Sequence, residues 1–160
     1  MAFQTSVNQK LAVGVVGDFY DGGATTPRRT DPYTIVSQSA GSIGKAYTID
    51  STGPSKVNLG GEGVFAGIAV NSKEFVRYGL AASMEFKQYD EAELCTMGRI
   101  WLSIDADVTV GMAAYYDKTT GEISADNSGK TLENKVEIKG SKFILVDGSS
   151  TAPMVVLQLG

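Results

Sequence analysis

Asp105 and Asp107 stand two residues apart, just past a strand-like run, and form the pair best placed to bind calcium or do acid–base work. No further acidic cluster falls at ligand spacing, so solvated turn residues are the plainer reading. Asp90, Glu91 and Glu93 make a second acidic knot, which reads as an exposed loop. The chain contains no histidine. His triads, His metal ligands and His general bases are thereby removed. Its one cysteine, Cys95, excludes an intramolecular disulfide framework and thiolate zinc sites. Flanked by Leu94 and Thr96, it reads as a small hydrophobe in a strand rather than a reactive thiol.

Two glycine-bearing stretches imitate nucleotide motifs. Ser128-Gly129-Lys130-Thr131 ends like a phosphate-binding loop, but the glycine required five residues earlier is Ser124. Gly61-x-Gly63-x-x-Ala66 imitates a dinucleotide fingerprint, but its glycines precede a strand. The chemistry needs them before a helix whose amides hold pyrophosphate. Arg28-Arg29 is too short for a nucleic-acid patch and can anchor its segment to an acidic surface. Trp101 faces away from the Ile100 row, so it belongs either to a core or to an interface.

The elements that would carry these residues are short. Nineteen glycines and four prolines in 160 residues punctuate runs of alternating polarity, which predicts an all-β protein, a sandwich or small jelly-roll-like barrel. Strands are expected at Tyr33–Ser37, Ile43–Ile49, Val64–Val70, Leu80–Lys87, Leu94–Thr96, Arg99–Ile104, Val108–Tyr116, Glu122–Ala125, Phe143–Val146 and Met154–Leu159. Pro54–Gly63 reads as a loop and Ser72–Tyr78 as one or two helical turns. Asp117–Gly121 reads as a turn with Gly121 left-handed. Parallel βαβ units are excluded because no long crossover helix is present.

Residues 1–32 differ from the rest. Lys10, Arg28 and Arg29 balance Asp18, Asp21 and Asp31, so the 11 basic and 15 acidic residues beyond them carry the whole net charge of −4. That charge argues against nucleic acid as a partner. Paired glycines and two prolines deny this segment a regular helix. Yet Phe3, Leu11, Val13, Val15, Val16 and Phe19 make it too apolar for a free tail. The expected organisation is an extended arm over 1–32 and a β-domain over 33–160. The arm lies on its own domain or on a neighbouring subunit. No apolar run approaches a membrane span, and Met1–Lys10 has no secretory pattern, so synthesis in a cytoplasm is expected.

Ordered along the chain, several stretches resemble the structural cement (decoration) proteins of tailed bacteriophages. They are Met1–Thr5 with Gly17-Asp18-Phe19, Gly63–Phe75, Met97–Leu102, Ala106–Gly111, Tyr116–Gly121 and Val155–Leu159. Tyr20–Pro32 departs from that pattern. The resemblance implies a non-enzymatic β-rich protein on the outer surface of the head, needing no cofactor or metal. It would bridge major capsid protein subunits as a small homo-oligomer, dimer or trimer, and would touch neither nucleic acid nor membrane. Contact residues expected on this reading are Phe3, Val13, Val15, Phe19, Arg28, Arg29 and Trp101. The alternatives are another virion part, such as a head fibre base or tail subunit, or a small β-barrel enzyme or carbohydrate-binding module using Asp105, Asp107 and Trp101.

Overall fold

The computed structural model describes residues 14–20, 27–39, 41–71, 85–104, 107–125, 134–147 and 154–160. Among them are twelve strands: β1 (Arg29–Ile35), β2 (Gly41–Ser42), β3 (Ala46–Ile49), β4 (Lys56–Leu59), β5 (Phe65–Ala69), β6 (Glu85–Phe86), β7 (Glu91–Ser103), β8 (Ala114–Asp117), β9 (Ile123–Ala125), β10 (Lys135–Glu137), β11 (Lys142–Asp147) and β12 (Met154–Leu159). The helical turns expected at Ser72–Tyr78 lie outside the described residues, as do Phe3, Val13, Asp105 and Ser128–Thr131.

The all-β expectation holds, and the architecture is a small closed barrel with further sheets attached. β1 pairs with β4, β4 with β3, β3 with β5, β5 with β7, and β7 returns to β1. Closure leaves these five strands without a free edge. One contact, β1 to β4, is parallel. The intervening chain passes through β2 and β3, so no crossover helix is required. Ile35, Tyr47, Val57, Leu59, Phe86 and Leu94 fill one core cluster. The ribbon of β2 and β6 brings the Phe86 ring edge-on to Tyr47, with centroids 6.4 Å apart.

β7 runs for 13 residues and outlasts the barrel. Glu91–Met97 pair with β1; Gly98–Ser103 pair with β12, which pairs in turn with β11. The changeover falls at Gly98, where φ is +134° and a Cβ would lie 3.2 Å from that of Arg28. A side chain there would meet both strain and a neighbour. Successive residues of a strand point to opposite faces, so Leu94 faces the barrel core while Cys95 joins a second core. That second core also takes Ile68 and Ala46 from the barrel wall, Ile100 and Leu102 from β7, Phe143 from β11 and Leu157 from β12. Tyr116 from β8 and Ile123 from β9 cover it, and β10-β8-β9 is a separate three-stranded sheet. Each fully buried side chain of this size contributes about 1.5–3 kcal/mol relative to exposure.

Several expected boundaries shift. Leu94–Thr96 and Arg99–Ile104 are parts of one strand rather than two. Lys56–Leu59, expected within a loop, is a strand because Val57 and Leu59 supply the barrel core. Of Val108–Tyr116 only the end is strand, since Met112 N donates to Thr109 O at 3.2 Å and turns the chain. Gly121 takes φ +67° in the turn before β9, as expected. β1 begins at Arg29, so the last residues of the segment 1–32 lie in the barrel wall.

Candidate functional site

Residues 14–20 lie along the edge of β7 that β12 leaves open. Gly17 N donates to Trp101 O at 2.8 Å, Trp101 N to Asp18 O at 2.9 Å, and Tyr20 N to Arg99 O at 2.9 Å. Phe19 faces Ile100 in an isolated antiparallel bridge. The segment and β1 therefore follow the same edge of β7 in the same direction, as one strand interrupted between Tyr20 and Arg29.

Side chains fasten this contact on both faces. On one, Trp101 is 6% exposed. The Tyr20 ring meets it edge-on with centroids 5.4 Å apart, and Gly14 lies so close that a Cβ would sit 2.5 Å from the indole. On the other, Phe19 is half-buried against the second core, with the Arg28 guanidinium carbon 5.2 Å from its ring centroid. Gly17 has φ +83°, and a Cβ there would fall 2.1 Å from Ile43. Asn71 closes the corner: its backbone N donates to Gly17 O and its amide to the Asp18 carboxylate, both at 3.0 Å.

Around this junction several groups remain outward. Val15 is 50% exposed and Met97 41%. Arg28 and Arg29 are exposed, and Arg29 pairs with Asp31 at 3.1 Å. A hollow of about 350 Å³ opens beside them, lined by Pro27, Met97, Gly98, Arg99 and the C-terminal residues Gln158–Gly160. The result is a rim mixing apolar surface with guanidinium groups, a composition suited to protein contact.

Of the expected contact residues, the structure thus places Val15, Arg28 and Arg29 on the surface. Phe19 and Trp101 are engaged within their own chain; Phe3 and Val13 lie outside the described residues. Sequence reasoning missed Met97, Tyr20 and Gly14. Met97 alternates out of the barrel core once β7 is read as one strand. Gly14 matters only through its approach to Trp101, which no local pattern reveals.

A second concavity of about 360 Å³ lies between Val16, Ile43–Lys45, Leu102–Ile104 and the β8–β9 hairpin. Its ionisable groups are occupied. Lys45 approaches Glu122 at 3.9 Å and Lys135 Nζ donates to Ser124 Oγ at 2.8 Å. Burial acts to raise the Asp117 carboxyl, but donation from the Thr120 and Thr119 amides outweighs it and holds the group below its ordinary value. This carboxylate caps a turn and stays ionised, the opposite of what a general acid needs. Asp107 is exposed. Cys95 is buried, and burial pushes its thiol up to about 11, so it is not a nucleophile at neutral pH. Gly61 and Gly63 lead into β5, as their spacing before a strand required.

Residues 3–160 match the family model described as structural cement protein (E217 gp24/Pam3 gp6). Among solved structures, a chain from the capsid of Myoviridae Phage XM1 is similar over 100% of this chain and 98% of its own, with a TM-score of 0.70 and 16% identity. At that identity the likeness is one of fold. No curated protein sequence matches.

Proposed function

The chain belongs to the structural cement protein family of phages, and from this premise we propose that it decorates the outer surface of a phage head, bridging major capsid protein subunits and stabilising the shell against the pressure of packed DNA. A structural capsid role and residence in the virion follow from the family itself. The finer reading is supported by the rim at the β7 junction, where Val15, Met97, Arg28 and Arg29 present adhesive surface. We assign no catalytic role to any residue: the ionisable groups in the concavity serve hydrogen bonds and ion pairs within the fold.

A protein that binds the assembled shell and not its free subunits stabilises assembly by mass action. Many copies repeat one modest contact, and a contact that spans two capsid subunits gains from effective concentration. On this reading residues 2–19 form an arm that engages a capsid neighbour or a sister copy, with Phe3, Val13 and Val15 as anchors. The assembled unit is a small homo-oligomer, and neither nucleic acid nor membrane takes part.

The test is co-sedimentation with undecorated heads. Arg28→Glu with Arg29→Glu should leave thermal melting within a few degrees of the unaltered chain, because both side chains are exposed. Occupancy on heads should fall at least tenfold. Full occupancy by this variant would remove the rim from the contact.

A further inference from the structure

The end of the barrel opposite the Arg28–Arg29 rim carries a side chain that the fold does not use. Lys87–Asp90 form a four-residue turn between β6 and β7, in which Asp90 N donates to Lys87 O at 3.1 Å. Tyr89, its third residue, has φ +69°. Turns with a left-handed third residue ordinarily place glycine or asparagine there. Among the described residues the ten other positions with positive φ are all glycine, so Tyr89 is the exception within its own chain. It is also 72% exposed. The backbone cost of holding a bulky residue in this conformation is therefore not offset by burial.

The turn gives that ring a stiff mount. Tyr89 N donates to Ile35 O at 2.7 Å and Ile35 N to Asp90 O at 2.9 Å, which ties both residues to the end of β1. Lys87 N donates to the Asp90 carboxylate at 2.7 Å, and the Gln88 amide to Val36 O at 2.9 Å. An aromatic side chain on a fixed backbone loses little freedom on contact, and tyrosine is enriched at protein interfaces. Glu85 and Glu91, both exposed, stand on the strands that enter and leave the turn, and with Asp90 they outnumber the exposed Lys87. The partner chemistry that fits is a protein surface with an apolar pocket for the ring, bordered by lysine or arginine.

We infer that the Tyr89 turn is a second capsid contact, seated in a basic-rimmed apolar pocket of a head subunit other than the one that takes the Arg28–Arg29 rim. This contact rests on the shell reading above and gives the bridge its second end. Glu91, beside the turn, and Met97, at the rim, are six residues apart on one strand, about 20 Å. The two ends also differ in charge, with guanidinium groups at one and carboxylates at the other. No single patch complements both, so the two ends require two unlike surfaces.

Tyr89→Gly separates a role in the fold from a role in contact. The free variant should melt at or above the temperature of the unaltered chain, since glycine adopts the left-handed conformation without strain. Its occupancy on undecorated heads, measured by co-sedimentation, should fall at least tenfold. A melting temperature lower by more than a few degrees would show that the ring serves the fold, and full occupancy would show that it serves no contact; either overturns the second contact. Tyr89→Asn, which also tolerates this φ, should lose occupancy to the same extent, and its retention of full occupancy would overturn it too. Photo-crosslinking then identifies the partner. A chain with p-benzoylphenylalanine in place of both Pro27, beside the rim, and Tyr89 is bound to heads and irradiated. The expected product joins one such chain to two head subunits. An adduct through position 89 to a second copy of the chain, or both adducts on one head subunit, overturns the assignment. Adducts through position 27 alone overturn the second contact and leave the shell reading standing. Failure of the unaltered chain to bind heads removes both.

Discussion

The two halves of β7 live in different surroundings. From Glu91 to Met97 the strand is enclosed between β1 and β5, in a barrel whose hydrogen bonds return on themselves. From Gly98 to Ser103 it has β12 on one edge, and on the other a seven-residue segment held by three main-chain bonds. The first half is finished by folding alone. The second leaves contacts that depend on a tethered piece of chain. The difference teaches that one strand can serve both as a wall of a closed barrel and as the seat of a separate segment, with a single glycine marking the change.

The sharpest way to break that contrast is to empty each half in turn. Leu94→Ala in the barrel should cost about 2–5 kcal/mol, and Trp101→Ala about 3–5 kcal/mol, by denaturant unfolding. The two should differ in limited proteolysis: Trp101→Ala opens cleavage within residues 14–20 of the folded protein, Leu94→Ala does not. Equal cleavage in both would mean that the segment and the barrel unfold together.

Cys95 lies beneath the boundary and reports on it through pH. Burial raises its folded pKa to about 11, whereas an unfolded thiol titrates near 8.5. The raised folded value favours the neutral thiol, so its stabilisation is complete below about pH 8.5 and declines up to about pH 11. The loss should reach about 2–3 kcal/mol at the top of that window and vanish in Cys95→Ala. A flat alkaline profile would place the thiol in contact with water.

Gly14→Ala adds a methyl where the indole already lies. The expected cost is about 1–3 kcal/mol, or release of the segment with Trp101 emission shifted to the red. Unchanged emission and melting would show that the indole has room to move. The smallest effect is expected away from β7. Asp117→Asn removes a charge held below its ordinary value by the Thr120 and Thr119 amides, with burial opposing. Its contribution is present above about pH 4 and fades as pH falls. The substitution should cost about 1 kcal/mol or less, leaving segment 14–20 protected.

Much of this was legible in the residues. Ile100, Leu102 and Trp101 declare a strand by alternation, as do Phe143–Val146 and Met154–Leu159. Asp117–Gly121 declares its turn. What was not legible depends on distant partners. Lys56–Leu59 sits among glycines and a proline and becomes a strand only because Val57 and Leu59 complete a core assembled from five other strands. Gly98 looks like punctuation in the sequence, yet β7 continues through it because β1 ends and β12 begins on either side. Trp101 read as core or interface, with core slightly favoured, and its neighbours Gly14 and Tyr20 explain why both stood: the surface that buries it comes from a part of the chain about eighty residues away.

The flanks of β7 also determine how the molecule answers a pull. Residues 14–20 and β12 both run antiparallel to β7, one on each edge, so they are parallel to each other. The chain enters beside Trp101 at one end of this three-strand layer, and Leu159 leaves beside Gly98 at the other. Tension drawn through the two ends therefore slides the outer strands in opposite directions along β7. Their hydrogen bonds are loaded in shear, all at once, instead of being peeled one by one as in an opening zipper. A tether anchored by both ends is hardest to part in that geometry.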